Sequence, residues 1–131
     1  MIMQLTKAEE QIMQILWTLG EGTVQDILKE FIKEKPARTT IATILGILET
    51  KEFVAHRTDG RSNVYWAIIK KEDYSKKQLF GFLKNYFDGS FSSMTSFFAK
   101  EANLSIDDLD KLLEETRQSL QEDQNKKEKG L

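Results

Sequence analysis

The residues able to do chemistry are concentrated in two short stretches. In "RTTIATILGILET" (38–50), Thr39, Thr43, Gly46 and Thr50 share one side of a helical pattern, flanked by Thr40, Ala42 and Ile47, with Arg38 at its start. Further on, Arg57 and Arg61 flank Asp59-Gly60, with His56 and Asn63 nearby. Threonine hydroxyls donate to or accept from phosphates and base edges, their methyls can touch thymine, and guanidinium groups pair with phosphate or guanine. Gly46 costs a helix interior about 1 kcal/mol relative to alanine. It either lets the backbone approach a groove closely or is tolerated on an open surface. The two arginines of the second stretch have a similar double reading, as phosphate contacts or as a solvated turn. The chemistry these groups suit is contact with double-stranded DNA, through Arg38, Thr39, Thr40, Ala42, Thr43, Gly46, Arg57 and Arg61.

Catalysis finds no comparable support. There are no cysteines, and His56 is the only histidine, so no thiolate or histidine-cluster metal site can be built and no metal or cofactor is expected. Ser92, Ser93 and Ser96 have no base within sequence reach. The carboxylates of "IDDLDKLLEE" lie on the polar side of an amphipathic pattern. "GRSN" lacks the glycine spacing and the following Lys-Ser/Thr of a phosphate loop. The chain is not expected to be an enzyme.

The elements that would position the contact residues follow from periodicity. Thr6 and Glu9 form a capping-box pair, and Ala8, Ile12, Ile15, Leu16 and Leu19 predict a helix over Lys7–Leu19 that "GEG" stops. A second helix begins after Thr23, with Asp26 as its capping partner, and ends by Lys35, because Pro36 disfavours helical geometry in the residue before it. The third spans about Thr39–Lys51, with Ile41, Ile44, Leu45 and Leu48 toward the core. "FVAHRTDGRSNVYWAII" then switches to β-rich runs around Asp-Gly, a hairpin signal. Three helices and a hairpin in this order are the layout of a winged helix-turn-helix.

Net charge is −2, yet residues 35–70 hold six basic residues (Lys35, Arg38, Lys51, Arg57, Arg61, Lys70) against three acidic ones. A local excess of this kind matters more than the total.

The remainder reads as helices: about Tyr74–Phe87, about Phe91–Glu101, and one starting after Ser105. Six of the eight phenylalanines fall within residues 80–98. A short helical arm has little surface in which to hide them, so association through helices of two chains is favoured over folding back on the N-terminal domain. Leu79, Phe82, Leu83, Tyr86, Phe91, Met94, Phe98, Leu109, Leu112 and Leu113 are the expected dimerisation residues. The fold class is therefore mainly α with a small β-hairpin wing: a winged-helix domain over 1–70, a three-helix dimerisation domain over 71–122, and a flexible charged tail over 123–131. The early polar turn of "MIMQLTKAEE" argues against a signal peptide, and no apolar run reaches the roughly 20 residues of a membrane span. A cytoplasmic location without membrane insertion is expected.

"LTKAEEQIMQILWTLGEGTVQDI" and "TTIATILGILETKEFVAHRTDGRSNVYWAII" resemble the penicillinase-repressor family, over about Leu5 to Leu113. The resemblance implies a homodimeric repressor on a pseudo-palindromic operator, with Thr40 and Thr43 at the DNA. Ala42 stands where relatives often carry a basic residue. The resemblance also implies release by a signalling protease, since one branch is cleaved at an Asn-Phe bond in the arm. The matching place here is Phe97-Phe98, which lacks the asparagine. The copper-responsive branch uses a C-terminal cysteine pair that is absent from this sequence. The competing reading is a winged-helix dimer that binds a protein partner, motivated by the uncharged face of Thr39, Thr43 and Gly46.

Overall fold

The computed structural model describes residues 4–130. The chain forms two compact units, Met1–Leu79 and Phe80–Leu131.

In the first unit, α1 (Lys7–Leu19) starts at the Thr6–Glu9 capping box and ends at Gly20, whose N–H donates to the Leu16 carbonyl at 2.8 Å. A two-residue strand, β1 (Glu21–Gly22), follows, then α2 (Val24–Lys29), capped by the Thr23–Asp26 box, and α3 (Arg38–Thr50). Strands β2 (Val54–Asp59) and β3 (Ser62–Ala67) form the hairpin. The sheet is antiparallel in the order β1-β3-β2. Ile12, Met13 and Leu16 of α1, Ile27 of α2, Ile41, Leu45 and Leu48 of α3, and Val54 of β2 are fully buried and form its core. The architecture is a winged helix-turn-helix, as the sequence pattern implies.

Three details correct or sharpen the sequence reading. Glu21 and Gly22 do more than stop α1: they pair with Trp66 and Tyr65 as a third strand. Helix α2 ends at Lys29, well before Lys35, because Phe31 turns into the core and Glu30 N–H closes a tight last turn on Ile27 O at 3.0 Å. The hairpin turn is Gly60-Arg61, not Asp59-Gly60. Asp59 pairs with Ser62, and Gly60 takes φ +64°, a conformation that glycine adopts without steric cost. Arg61 is therefore in the turn itself.

The two units divide inside α4 (Lys71–Phe87), past the Lys70 boundary expected from sequence. The first turn of α4 belongs to the winged-helix core. Tyr74 is buried against Trp17 and Phe53, at ring distances of 5.5 and 6.0 Å, and Trp17 Nε1 donates to Ile69 O at 2.8 Å.

The second unit holds the end of α4, α5 (Phe91–Glu101) and α6 (Ile106–Lys129). Helix α6 continues through the charged segment expected to fray. Lys126, Lys127 and Lys129 in its last turn complement the negative end of the helix dipole. Neither α5 nor α6 has a buried residue. Of the expected dimerisation residues, Leu83 is buried and Met94 and Leu109 are half-buried; Leu79, Phe82, Tyr86, Phe91, Phe98, Leu112 and Leu113 are exposed. Phe87 stacks between Phe82 and Phe97, at 5.8 and 5.6 Å.

Candidate nucleic-acid interface

Helix α3 divides cleanly into two faces. Ile41, Leu45 and Leu48 have no accessible surface, while Arg38, Thr39, Thr40, Ala42, Thr43, Gly46 and Thr50 are all exposed. The exposed strip is narrow in side-chain volume and uncharged beyond its first residue. Thr43 Oγ1 donates to Thr39 O at 2.8 Å, and Thr50 Oγ1 to Gly46 O at 3.0 Å. Each hydroxyl proton is thus spent within the helix, leaving an oxygen lone pair and a methyl for an incoming base. These suit an exocyclic amine and a thymine methyl respectively.

A Cβ added at Gly46 would meet nothing within 4 Å. Packing therefore gives no reason for a glycine here. Gly46→Ala is expected to leave the fold intact and raise its stability by up to about 1 kcal/mol, while weakening DNA affinity. Thermal unfolding read beside binding tests this; unaltered affinity would leave Gly46 without a role in close approach.

The wing distributes its charges differently from the sequence reading. Arg57 is held in a two-armed contact with Glu21 of β1, at 3.1 and 2.7 Å, and its guanidinium lies 5.8 Å from the centre of the Trp66 ring. The Arg57 hydrogen bonds hold the Glu21 carboxyl below its ordinary range, and Glu21 in turn pushes the guanidinium up. Lys51 is likewise engaged, with Glu9 of α1, both oxygens lying at 2.9 Å. Two of the six basic residues counted in 35–70 are thus paired within the protein. His56 Nδ1 lies 2.6 Å from Glu49 Oε1 and ties β2 to the end of α3, and the ring sits against Tyr65 at 5.2 Å.

Arg38 and Arg61 come together from different elements. They line a concavity of about 310 Å³ with Ala42 of α3, the capping Thr23 before α2, Gln25 of α2, and Asn63 of β3. Of the residues expected from sequence, the structure gathers Arg38, Ala42 and Arg61 here and places Thr39, Thr40, Thr43 and Gly46 along the same exposed helix. Arg57 is held by Glu21 instead. Sequence reasoning did not find Thr23 and Gln25 at this surface, nor Glu21 and Glu49 as partners. The capping role of Thr23 was legible, but its nearness to the wing depends on how α2 packs.

Among the described residues, no group of three or more His, Cys, Asp or Glu side chains is placed to hold a metal ion, and no helix is long and apolar enough to cross a membrane. A family model described as penicillinase repressor matches residues 5–118. The chain belongs to the penicillinase repressor family. Its sequence is similar to the penicillinase repressor of Bacillus licheniformis, with 29% identity over 127 residues covering 96% of each chain. It is also similar to the methicillin resistance regulatory protein MecI of Staphylococcus aureus (strain N315), with 24% identity over 110 residues, 83% of this chain and 89% of the relative. Among solved structures, the DNA binding domain of the repressor BlaI matches with 30% identity and a TM-score of 0.48, over 54% of this chain and 88% of that one. The match to the penicillinase repressor family runs beyond the winged helix, through α4 and α5 and into α6.

Proposed function

We propose that this penicillinase repressor family member is a DNA-binding transcriptional repressor acting as a homodimer on a pseudo-palindromic operator. The observation that carries the DNA-binding part is the convergence of Arg38 and Arg61 beside the small exposed face of α3. The helix would lie in the major groove, with Thr39, Thr40 and Thr43 toward base edges and Arg61 on a phosphate from the wing. Ala37, which precedes α3, offers no side-chain cap, which leaves the N–H groups of Arg38 and Thr39 open to a phosphate.

Support for the homodimer comes from the second unit. Helices α5 and α6 have no buried residue, while Phe91, Phe98 and Leu113 stay more than half exposed. A second copy supplies the matching apolar surface. Release through a signalling protease would act in α5, where Phe97 and Phe98 are both exposed.

The test is selection of bound fragments from random duplex DNA by the purified chain, at two salt concentrations. Recovery of a palindromic site with steep salt dependence supports the repressor reading. No enrichment at either salt would transfer the α3 face to a protein partner, the reading favoured by the pairing of Arg57 and Lys51 within the protein. On a recovered site, Arg61→Ala is expected to weaken binding across sequences and to lower the salt slope by about one. An unchanged slope would remove Arg61 from the phosphate contacts.

A further inference from the structure

The ion pairs of Lys51 and Arg57 differ in their surroundings. The pair of Lys51 encloses Glu9, whose side chain is 4% exposed, whereas the Arg57 and Glu21 side chains remain 49% and 53% exposed. A pair so open to solvent adds little to stability. Its geometry is nonetheless specific. Arg57 on β2 and Glu21 on β1 stand on the two edge strands and meet across β3, with Nη1 and Nη2 each donating to one carboxylate oxygen.

The contact also turns Arg57 in a particular direction. In the hairpin register Arg57 pairs with Val64, yet its guanidinium lies by the ring of Trp66, which pairs with Ala55. The side chain is therefore drawn back along β3, away from the Gly60-Arg61 turn at the tip of the wing. Glu21 meanwhile fills the paired N–H groups with which a guanidinium takes a phosphate, because carboxylate and phosphate offer it the same two-oxygen edge. DNA can recruit Arg57 only by displacing Glu21. The displaced carboxylate then stands close to a phosphate of the same sign, which is unfavourable.

We propose that Glu21 is an affinity-limiting residue, a carboxylate that occupies the phosphate-grasping arms of Arg57 and so holds down binding to duplex DNA of any sequence. The proposal rests on the DNA-binding reading above. Glu21 acts through Arg57, by keeping one cation of the wing out of the phosphate contacts.

The test uses the full chain with Glu21→Gln, Arg57→Ala and the two together. Each is titrated onto the selected operator and onto an unrelated duplex of equal length, at two salt concentrations. Glutamine keeps the size of the side chain and the backbone pairing of β1 with Trp66, and removes the charge. Glu21→Gln is expected to tighten both complexes by roughly fivefold at low salt. It should also steepen the salt slope by about one, since a released guanidinium adds one phosphate contact. With Arg57→Ala already present, Glu21→Gln should change affinity by less than about twofold, the residue of a screened, distant charge. The unfolding midpoint of each variant confirms that binding is compared between folded proteins. Weaker binding by Glu21→Gln would make Glu21 a support that aims Arg57 at DNA and overturn the proposal. A gain that persists in full without Arg57 would reduce it to a general effect of charge and overturn it too. A parent chain that enriches no duplex would overturn the DNA-binding reading along with this one, whereas parent binding with an indifferent Glu21→Gln overturns only this one.

Discussion

A chain ended at Leu79 is expected to fold and melt cooperatively, and to bind a palindromic operator about a hundredfold or more weakly than the full chain. The shortened chain keeps every side chain proposed to touch DNA. It also keeps Tyr74, which is 6% exposed and packed against Trp17 and Phe53, so the winged-helix core remains whole. An end at Lys70 would remove Tyr74 and confuse lost dimerisation with lost folding. What the shortened chain lacks is the unit in which many of the large apolar side chains stay exposed in one copy: Phe98 is 60% exposed and Leu113 57%. If two copies associate there, the second half-site binds at the millimolar effective concentration typical of a short linkage. Titration of full-site and half-site duplexes with both chains tests this. The full chain should prefer the full site strongly, and the shortened chain should scarcely distinguish them. Equal affinity of the two chains for the full site would mean that the arm does not link two readers. Leu113→Asp in the full chain gives an independent check, because so exposed a residue can be charged without harm to a monomer. It should raise the concentration at which sedimentation shows dimers.

The parts of this fold that were legible in sequence are those set by local rules. Helix α1 runs over the expected residues because both ends are fixed by neighbours in sequence, the Thr6–Glu9 box and Gly20. The exposed strip of α3 follows from period alone, since Ile41, Leu45 and Leu48 can face inward only if Thr39, Thr43 and Gly46 face outward. Long-range pairing was not legible. Lys51 and Arg57 read as surface cations because their partners, Glu9 and Glu21, lie 42 and 36 residues away. Strand β1 is too short to show an alternating pattern and exists only because β3 offers it an edge. The exposed face of α3 and an arginine at the hairpin were within reach of local rules, while the nearness of Thr23 and Gln25 to them required the packing of three elements.

Lys51→Met is expected to destabilise the first unit by about 3 kcal/mol at pH 7, lowering its melting temperature by about 15 °C. Glu9 is the reason. Its side chain is only 4% exposed, and the ammonium of Lys51 bridges both carboxylate oxygens at 2.9 Å. Burial pushes the Glu9 carboxyl up, but the Thr6 N–H, the Lys51 ammonium and the Thr6 hydroxyl together outweigh it and hold the group below its ordinary value of 4.5. A carboxyl lowered on folding stabilises fully above that ordinary value, and its contribution is lost as the pH falls through the folded-state value. In Lys51→Met the carboxyl keeps its Thr6 hydrogen bonds but loses the ammonium, so burial weighs more heavily against the charged form and the carboxyl is expected to move up. The deficit of the variant should therefore be largest near neutrality and shrink as the solution is brought below about pH 5. Adding Glu9→Gln removes the buried charge and should recover much of the loss, so urea unfolding of the two single variants and the double variant isolates the pair. A Lys51→Met chain with an unchanged urea midpoint at pH 7 would mean that solvent already screens this carboxylate. The pair also bears on DNA binding, because Lys51 caps the end of α3 and Glu9 lies on α1. It pins the recognition helix to the rest of the core at the end opposite Arg38. Operator affinity of the variant should fall with its folded fraction under mild destabilising conditions and match the parent where both are fully folded, which separates a positioning contact from a DNA contact.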